Sequence, residues 1–142
     1  MTFRVVFDTS TLVSAALRIG SVPYQALSAA LATCDLCASP GTLTELEQVL
    51  NREKFDRYLD RPLRQEFVAL IRRNSRLFLI DDIGLNALEP PCRDHKDNQF
   101  LALALAASTD LLVSSDEDLL VLSPWRQIQI LTPGEFLARS EA

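Results

Sequence analysis

Six carboxylates stand at positions where they could do chemistry: Asp8, Glu45, Asp94, Asp97, Asp116 and Asp118. Asp8 ends the apolar run FRVVFD at 3–8, and Asp116 follows the run DLLVSS at 110–115, with Asp118 two residues on. Glu45 follows SPGTLT, and Asp97 opens the apolar segment DNQFLALALAAS, with Asp94 just before it. Uncompensated carboxylates held together repel one another and bind protons more tightly, unless a divalent cation sits among them. Mg²⁺ and Mn²⁺ prefer oxygen ligands. The chain offers little for zinc, since His95 is the only histidine and the pair Cys34-x-x-Cys37 has no second pair to complete it. Acids gathered around one or two such ions suit phosphodiester hydrolysis, in which the metal activates water and neutralises charge on the leaving oxygen.

Each acid also has a plainer reading. Glu45 reads as the partner of Thr42 in a capping box, Asp94 as a helix N-cap, Asp97 as a partner of a helix dipole and Asp118 as a solvated acid of a short helix. Asp8 is harder to dismiss, because an acid ending an apolar strand is costly to bury without a partner. Asp116 is similar. His95 reads as a loop residue, Trp125 as a packing residue, and at least one of the cysteines as packed in or beside a buried strand.

The elements that would position these acids alternate. Strands are expected at 3–8, 35–39, 76–80, 110–115 and 128–131. Helices are expected from Thr9 to about Leu17, from Pro23 through the small apolar pattern YQALSAALA, and from the Thr42-x-x-Glu45 box to about Asn51. The YQALSAALA helix should be largely buried. A longer helix follows Pro62, with Leu63, Phe67, Leu70 and Ile71 as its apolar stripe and Arg64, Arg72, Arg73 and Arg76 mainly facing solvent. A loop spans 81–94, and a loop of that length inside a compact domain is often functional. A helix apolar on nearly all sides runs from Asp97 to Ser108, a short one follows Asp116, and Thr132-Pro133-x-Glu135 caps the last. This alternation implies βαβ units, with about five short parallel strands and helices on both faces. In such sheets the site lies beyond the carboxyl ends of the strands, at the topological switch point, where all six acids would converge.

The 142 residues suit one domain over 1–142 that closes its own core. A hydrophobic fraction of 48% and a charged fraction of 23% are ordinary for a globular protein and argue against a disordered tail. No apolar run is long enough to span a membrane, and the N-terminus does not read as a signal peptide. Three cysteines, an odd number, fit a reducing cytoplasm. A net charge of −5 excludes binding nucleic acid through a broad basic face. Setting the six acids aside leaves 13 acidic against 14 basic residues, so the remaining surface is near neutral. Arg52, Lys54, Arg57, Arg61 and Arg64 form a basic stretch that could meet an RNA backbone.

Together the segments VVFDTS, SPGTLTELEQVL, RDHKDNQFLALALA, LLVSSDEDLL and ILTPGEFL are recognisable. The chain resembles the PIN-domain family, and within it the small bacterial and archaeal toxins of toxin–antitoxin pairs. The segments follow the family's order over nearly the whole length; each is weak alone, and the ordered set is specific. The resemblance implies a three-layer α/β/α fold and a metal-dependent ribonuclease using Mg²⁺ or Mn²⁺. It implies Asp8, Glu45, Asp97 and Asp116 as the catalytic and metal-binding acids, with Asp118 as an additional acid and Asp94 a further candidate ligand. Ser10, Ser114 and Asn98 would support them. An RNA substrate, an antitoxin that covers the site, and a homodimer or higher oligomer in the cytoplasm are also implied. The sequence departs from the family pattern at Ser10, where asparagine is usual, at Ser114, where threonine is usual, and at His95 and Lys96, which replace a proline and an acid. Lys96 places a positive charge beside the metal acids.

The competing reading is a PIN-like module that binds RNA or protein with little or no cleavage, favoured by Ser10 and Lys96. A third class, other acid-based phosphotransfer enzymes, fits less well. The haloacid-dehalogenase pattern needs an aspartate where Ser10 stands, and Toprim domains end their first strand in glutamate.

Overall fold

The computed structural model describes residues 3–81, 88, 91–92 and 95–140. Asp94 and most of the loop expected at 81–94 lie outside these residues. Five strands form one sheet: β1 (Arg4–Phe7), β2 (Asp35–Ala38), β3 (Ser75–Leu77), β4 (Leu111–Val113) and β5 (Gln129–Leu131). Their order is β3-β2-β1-β4-β5, and every pairing is parallel. Val5 lies between Leu36 and Leu111 in register, and Leu112 pairs with Ile130. The order reverses between β1 and β4, which is the switch point of the sheet.

Seven helices are described: α1 (Thr9–Leu17), α2 (Val22–Thr33), α3 (Pro40–Leu50), α4 (Arg61–Asn74), α5 (Asn98–Ala106), α6 (Glu117–Leu120) and α7 (Pro133–Ser140). Side chains alternate across a strand, so a sheet covered on both faces divides its core in two. Val5, Phe7, Leu36, Ala38, Leu111 and Val113 pack on one side, with residues of α1, α2, α3, α4 and α7. Phe7 meets Phe136 of α7 edge to face, with ring centroids 5.9 Å apart. Val6, Cys37, Leu112 and Ile130 pack on the other side, with α5, Leu119 and Trp125. The three-layer α/β/α arrangement expected from the alternation is therefore the observed one, and Trp125 and Cys37 are core residues.

Three expectations are corrected. First, α3 begins at Pro40, capped by a reciprocal pair in which the Thr42 amide donates to Ser39 Oγ (3.1 Å) and the Ser39 amide donates to Thr42 Oγ1 (2.9 Å). Proline at the first helical position moves the start upstream, and Glu45 is released from a capping role. Second, α2 is not largely buried: only Ala26, Leu27 and Ala30 are, while Val22 and Tyr24 are exposed. Third, the row of α4 that faces inward is Arg64, Val68 and Ile71, whereas Leu63 and Leu70 are exposed.

Arg64, expected at the solvent face, is fully buried. Its Nε donates to the Leu59 carbonyl (2.9 Å) and its Nη1 to the carbonyls of Leu50 (2.5 Å) and Arg52 (3.1 Å). Its Nη2 pairs with Asp56. The guanidinium fork thus fastens the connection between α3 and α4 by satisfying carbonyls that the end of α3 leaves over.

Candidate active site

β1 delivers Asp8 to the carboxyl edge of the sheet, where it becomes the N-cap of α1. Its Oδ1 accepts from the Thr11 amide (3.0 Å) and from Ser10 Oγ (3.4 Å). Its Oδ2 accepts from Ser114 Oγ (2.5 Å), just beyond the neighbouring strand β4. Ser114 Oγ in turn accepts from the Asp116 amide (2.9 Å), so one hydroxyl ties the Asp8 carboxylate to the Asp116 backbone across the switch point. Asp116 caps α6, and its Oδ1 accepts from the Asp118 amide (2.9 Å). Asp118 therefore orients Asp116 through its backbone.

Asp8 is 2% exposed, and its carboxyl group is held above the ordinary carboxylate range. Burial is the main cause; bonds from Ser114 and Thr11 act the other way, and the charge of Asp116 adds to the rise. Repulsion is present, and desolvation outweighs it, because Asp8 sits at the end of a fully covered strand.

Glu45, half-buried on α3, reaches the same edge by a second route. Its Oε2 accepts from Thr9 Oγ1 (2.8 Å), the residue after Asp8, and from Gln99 Nε2 (2.6 Å) on α5. Asp97 is the N-cap residue of α5, two positions before Gln99, which brings the amino end of α5 to this edge as well. Thr9 and Gln99 were not singled out by sequence. Thr9 lies inside the VVFDTS motif, and Gln99 follows Asp97 by the two positions that turn a side chain toward α3; neither signal names a glutamate partner. Asn98 faces elsewhere, its Oδ1 accepting from the Cys92 amide (2.7 Å). Ser10 and Lys96 are exposed.

The basic stretch is not brought to the acids. Arg52, Lys54, Arg57 and Arg61 are exposed, while Arg64 is interior. Lys54 lies over the Phe55 ring and Arg57 over the Tyr58 ring. Phe55 and Tyr58 line a cavity with Val13 and Leu17 of α1 and with its C-cap Arg18. The nine residues of α1 run about 13 Å from their Asp8 cap, so the stretch sits toward the end remote from that acid.

Among the described residues, no three of His, Cys, Asp and Glu stand close enough to hold a metal ion. The pair Asp8 and Asp116 is nonetheless suited to a hard divalent cation. Both offer carboxylate oxygens, and the buried charge of Asp8 would be eased by a positive charge beside it. Mg²⁺ is commonly held by one or two carboxylates, with water and substrate phosphate completing its octahedron.

The family whose sequence model matches this chain is described as the PIN domain, and the match covers residues 4–118. The chain belongs to the PIN-domain family. The matched span contains all the candidate acids, from Asp8 to Asp118. The fold agrees: PAE2754 from Pyrobaculum aerophilum aligns at a TM-score of 0.67 and 15% identity, covering 98% of this chain and 90% of that one. VapBC2 from Rickettsia felis, solved bound to a DNA fragment from its promoter, aligns at 0.65 and 12% identity, covering 92% and 98%. VapC20 from Mycobacterium tuberculosis, a toxin that cleaves the sarcin–ricin loop, aligns at 0.58 and 13% identity, covering 88% and 98%. No curated protein sequence matches the chain. This PIN domain therefore shares its fold with these three structures at 12–15% sequence identity.

Proposed function

We propose that this PIN domain is a divalent-cation-dependent endoribonuclease and the toxin of a toxin–antitoxin pair. The observation that carries the reading is the buried Asp8, joined through Ser114 to Asp116 at the switch point of the sheet. Two anionic groups in that position are costly for the fold alone, and a cation offsets the cost. Asp8 and Asp116 would hold Mg²⁺ or Mn²⁺, and Glu45 and Asp97 would complete the acidic site. When bound, the cation supplies activation of water and neutralises charge at the scissile phosphate. The Ser114 hydroxyl and the Asp118 amide fix the two carboxylates so that little rearrangement is needed. Hydrolysis forms a bond from water oxygen to phosphorus and breaks the bond to the 3′ oxygen, which takes up a proton. The products carry a 5′-phosphate and a 3′-hydroxyl.

The toxin assignment is supported by the family and by the VapBC2 and VapC20 likenesses. It brings an RNA substrate, an antitoxin protein, self-association as a homodimer or larger assembly, and a cytoplasmic setting. The basic stretch at Arg52, Lys54, Arg57 and Arg61 is a candidate contact for RNA backbone at a distance from the acids. A second reading, a module that binds RNA or protein without cutting, is favoured by the absence of a three-acid group among the described residues.

The test is incubation of purified protein with a structured RNA in Mn²⁺, Mg²⁺ or EDTA, beside the Asp8→Asn variant. Cleavage that requires metal and is lost in the variant is expected. Metal-independent cleavage, or cleavage retained by Asp8→Asn, would refute cation-dependent cleavage at Asp8. RNA binding without cleavage in any condition would select the binding module.

A further inference from the structure

The acid whose support comes from outside the Asp8–Ser114–Asp116 cluster is Glu45, and its setting is asymmetric. Both of its hydrogen bonds fall on one oxygen, Oε2, from Thr9 at 2.8 Å and Gln99 at 2.6 Å. Among the described residues, no hydrogen bond is made to Oε1. A carboxylate only accepts hydrogen bonds, so the face of the Gln99 amide that meets it must be its NH₂. The carbonyl end of Gln99 lies over the first turn of α3, 3.6 Å from where a Cβ on Gly41 would stand. Gln99 thus spans from α5 to α3, and Thr9 closes the grip from the start of α1.

We propose that Gln99 is a positioning residue for Glu45. With Thr9 it immobilises Oε2 and leaves Oε1 as the oxygen offered to the divalent cation of the site; the inference rests on the cation-dependent reading above. Without those donors, Glu45 is a glutamate on a half-buried helical face with three rotatable bonds, free to turn away from the site. Fixing one oxygen removes most of that freedom and sets the direction of the other. Hydrogen bonds that hold a ligating carboxylate in this way are worth about 10–100-fold in metal affinity in other sites.

The experiment is calorimetric titration of Mn²⁺ into metal-free protein, for wild type, Gln99→Met, Thr9→Val and Asp8→Asn, with thermal melts to confirm folding. Gln99→Met keeps the length of the side chain and removes the donor. It is expected to weaken Mn²⁺ binding about tenfold with the melting temperature little changed. Thr9→Val removes the other donor to the same oxygen and is expected to weaken binding in the same direction, giving a second readout should Gln99→Met fold poorly. A fall in Mn²⁺ affinity at an unchanged melting temperature is the readout that a packing role would not give. Wild-type affinity in folded Gln99→Met and Thr9→Val, with binding lost in Asp8→Asn, would overturn the positioning role and leave the cation site standing. Absence of Mn²⁺ binding in wild type would overturn both.

Discussion

A carboxylate that is 2% exposed has lost most of its hydration, and at Asp8 the bonds from Ser114 and Thr11 only partly replace it. Its folded-state proton affinity is raised, so the folded chain binds a proton there more tightly than the unfolded chain, whose value lies near 3.8. Stability must then fall as pH rises from about that value through the raised folded value, and the loss persists above it. Asp8→Asn removes this charge while keeping an N-cap acceptor, since asparagine caps helices as well as aspartate. Urea denaturation of metal-free protein should therefore show Asp8→Asn at least as stable as wild type at neutral pH, with the advantage shrinking as pH drops toward 4. A variant clearly less stable than wild type at pH 7 would contradict this account. Ser114→Ala acts in the opposite sense. It removes the strongest of the bonds that lower the Asp8 pKa, so carboxyl NMR should find Asp8 titrating higher than in wild type, and an unchanged or lower value would be inconsistent with the geometry.

Helix α4 shows how an element can be held by a residue of the wrong apparent type. Arg64 occupies a core row with Val68 and Ile71, and its fork serves the carbonyls of Leu50, Arg52 and Leu59. Arg64→Met preserves much of the volume and removes every donor, which should cost about 3 kcal/mol in equilibrium unfolding. Arg64→Lys should remain destabilised, because one ammonium cannot reach three carbonyls in the same geometry. A loss below about 0.5 kcal/mol in Arg64→Met would refute the stapling role. This row also marks where the sequence stops being legible. A rule that sorts arginine to solvent chooses Leu63, Phe67, Leu70 and Ile71 as the stripe and misplaces the helix by part of a turn. The same kind of local ambiguity put the cap of α3 at Thr42 instead of Ser39. The strands and their parallel order were legible because Val5, Val6, Leu112 and Val113 form short apolar runs that only a doubly covered sheet can bury. Asp8 and Asp116 were legible because they end two such runs. Gln99 was not, since its role is defined only by what α3 places opposite it.

At the scale of the molecule, the switch point buries Asp8 beside the half-buried Asp116, and the rest of the fold supplies the stability that tolerates them. Two cores, one on each face of the sheet, bury Val5, Val6, Leu112 and Val113 almost completely. On the proposed reading, the buried Asp8 is a local liability that a bound cation would convert into a binding site. A ligand that binds only the folded state stabilises it by RT ln(1 + [L]/Kd), about 2.7 kcal/mol at a hundredfold excess over Kd. For a domain of 142 residues that is a rise of several degrees in melting temperature. Wild type should gain this rise on titration with Mn²⁺, while Asp8→Asn should start at or above the metal-free wild type and scarcely move. The two melting temperatures should therefore draw together as Mn²⁺ is added, and cross where the cation's contribution exceeds the cost of the buried charge. Parallel shifts in both proteins would mean that Mn²⁺ binds elsewhere and that the burial of Asp8 serves another purpose. Convergence would tie the buried charge of Asp8 to the ion that gives it a use.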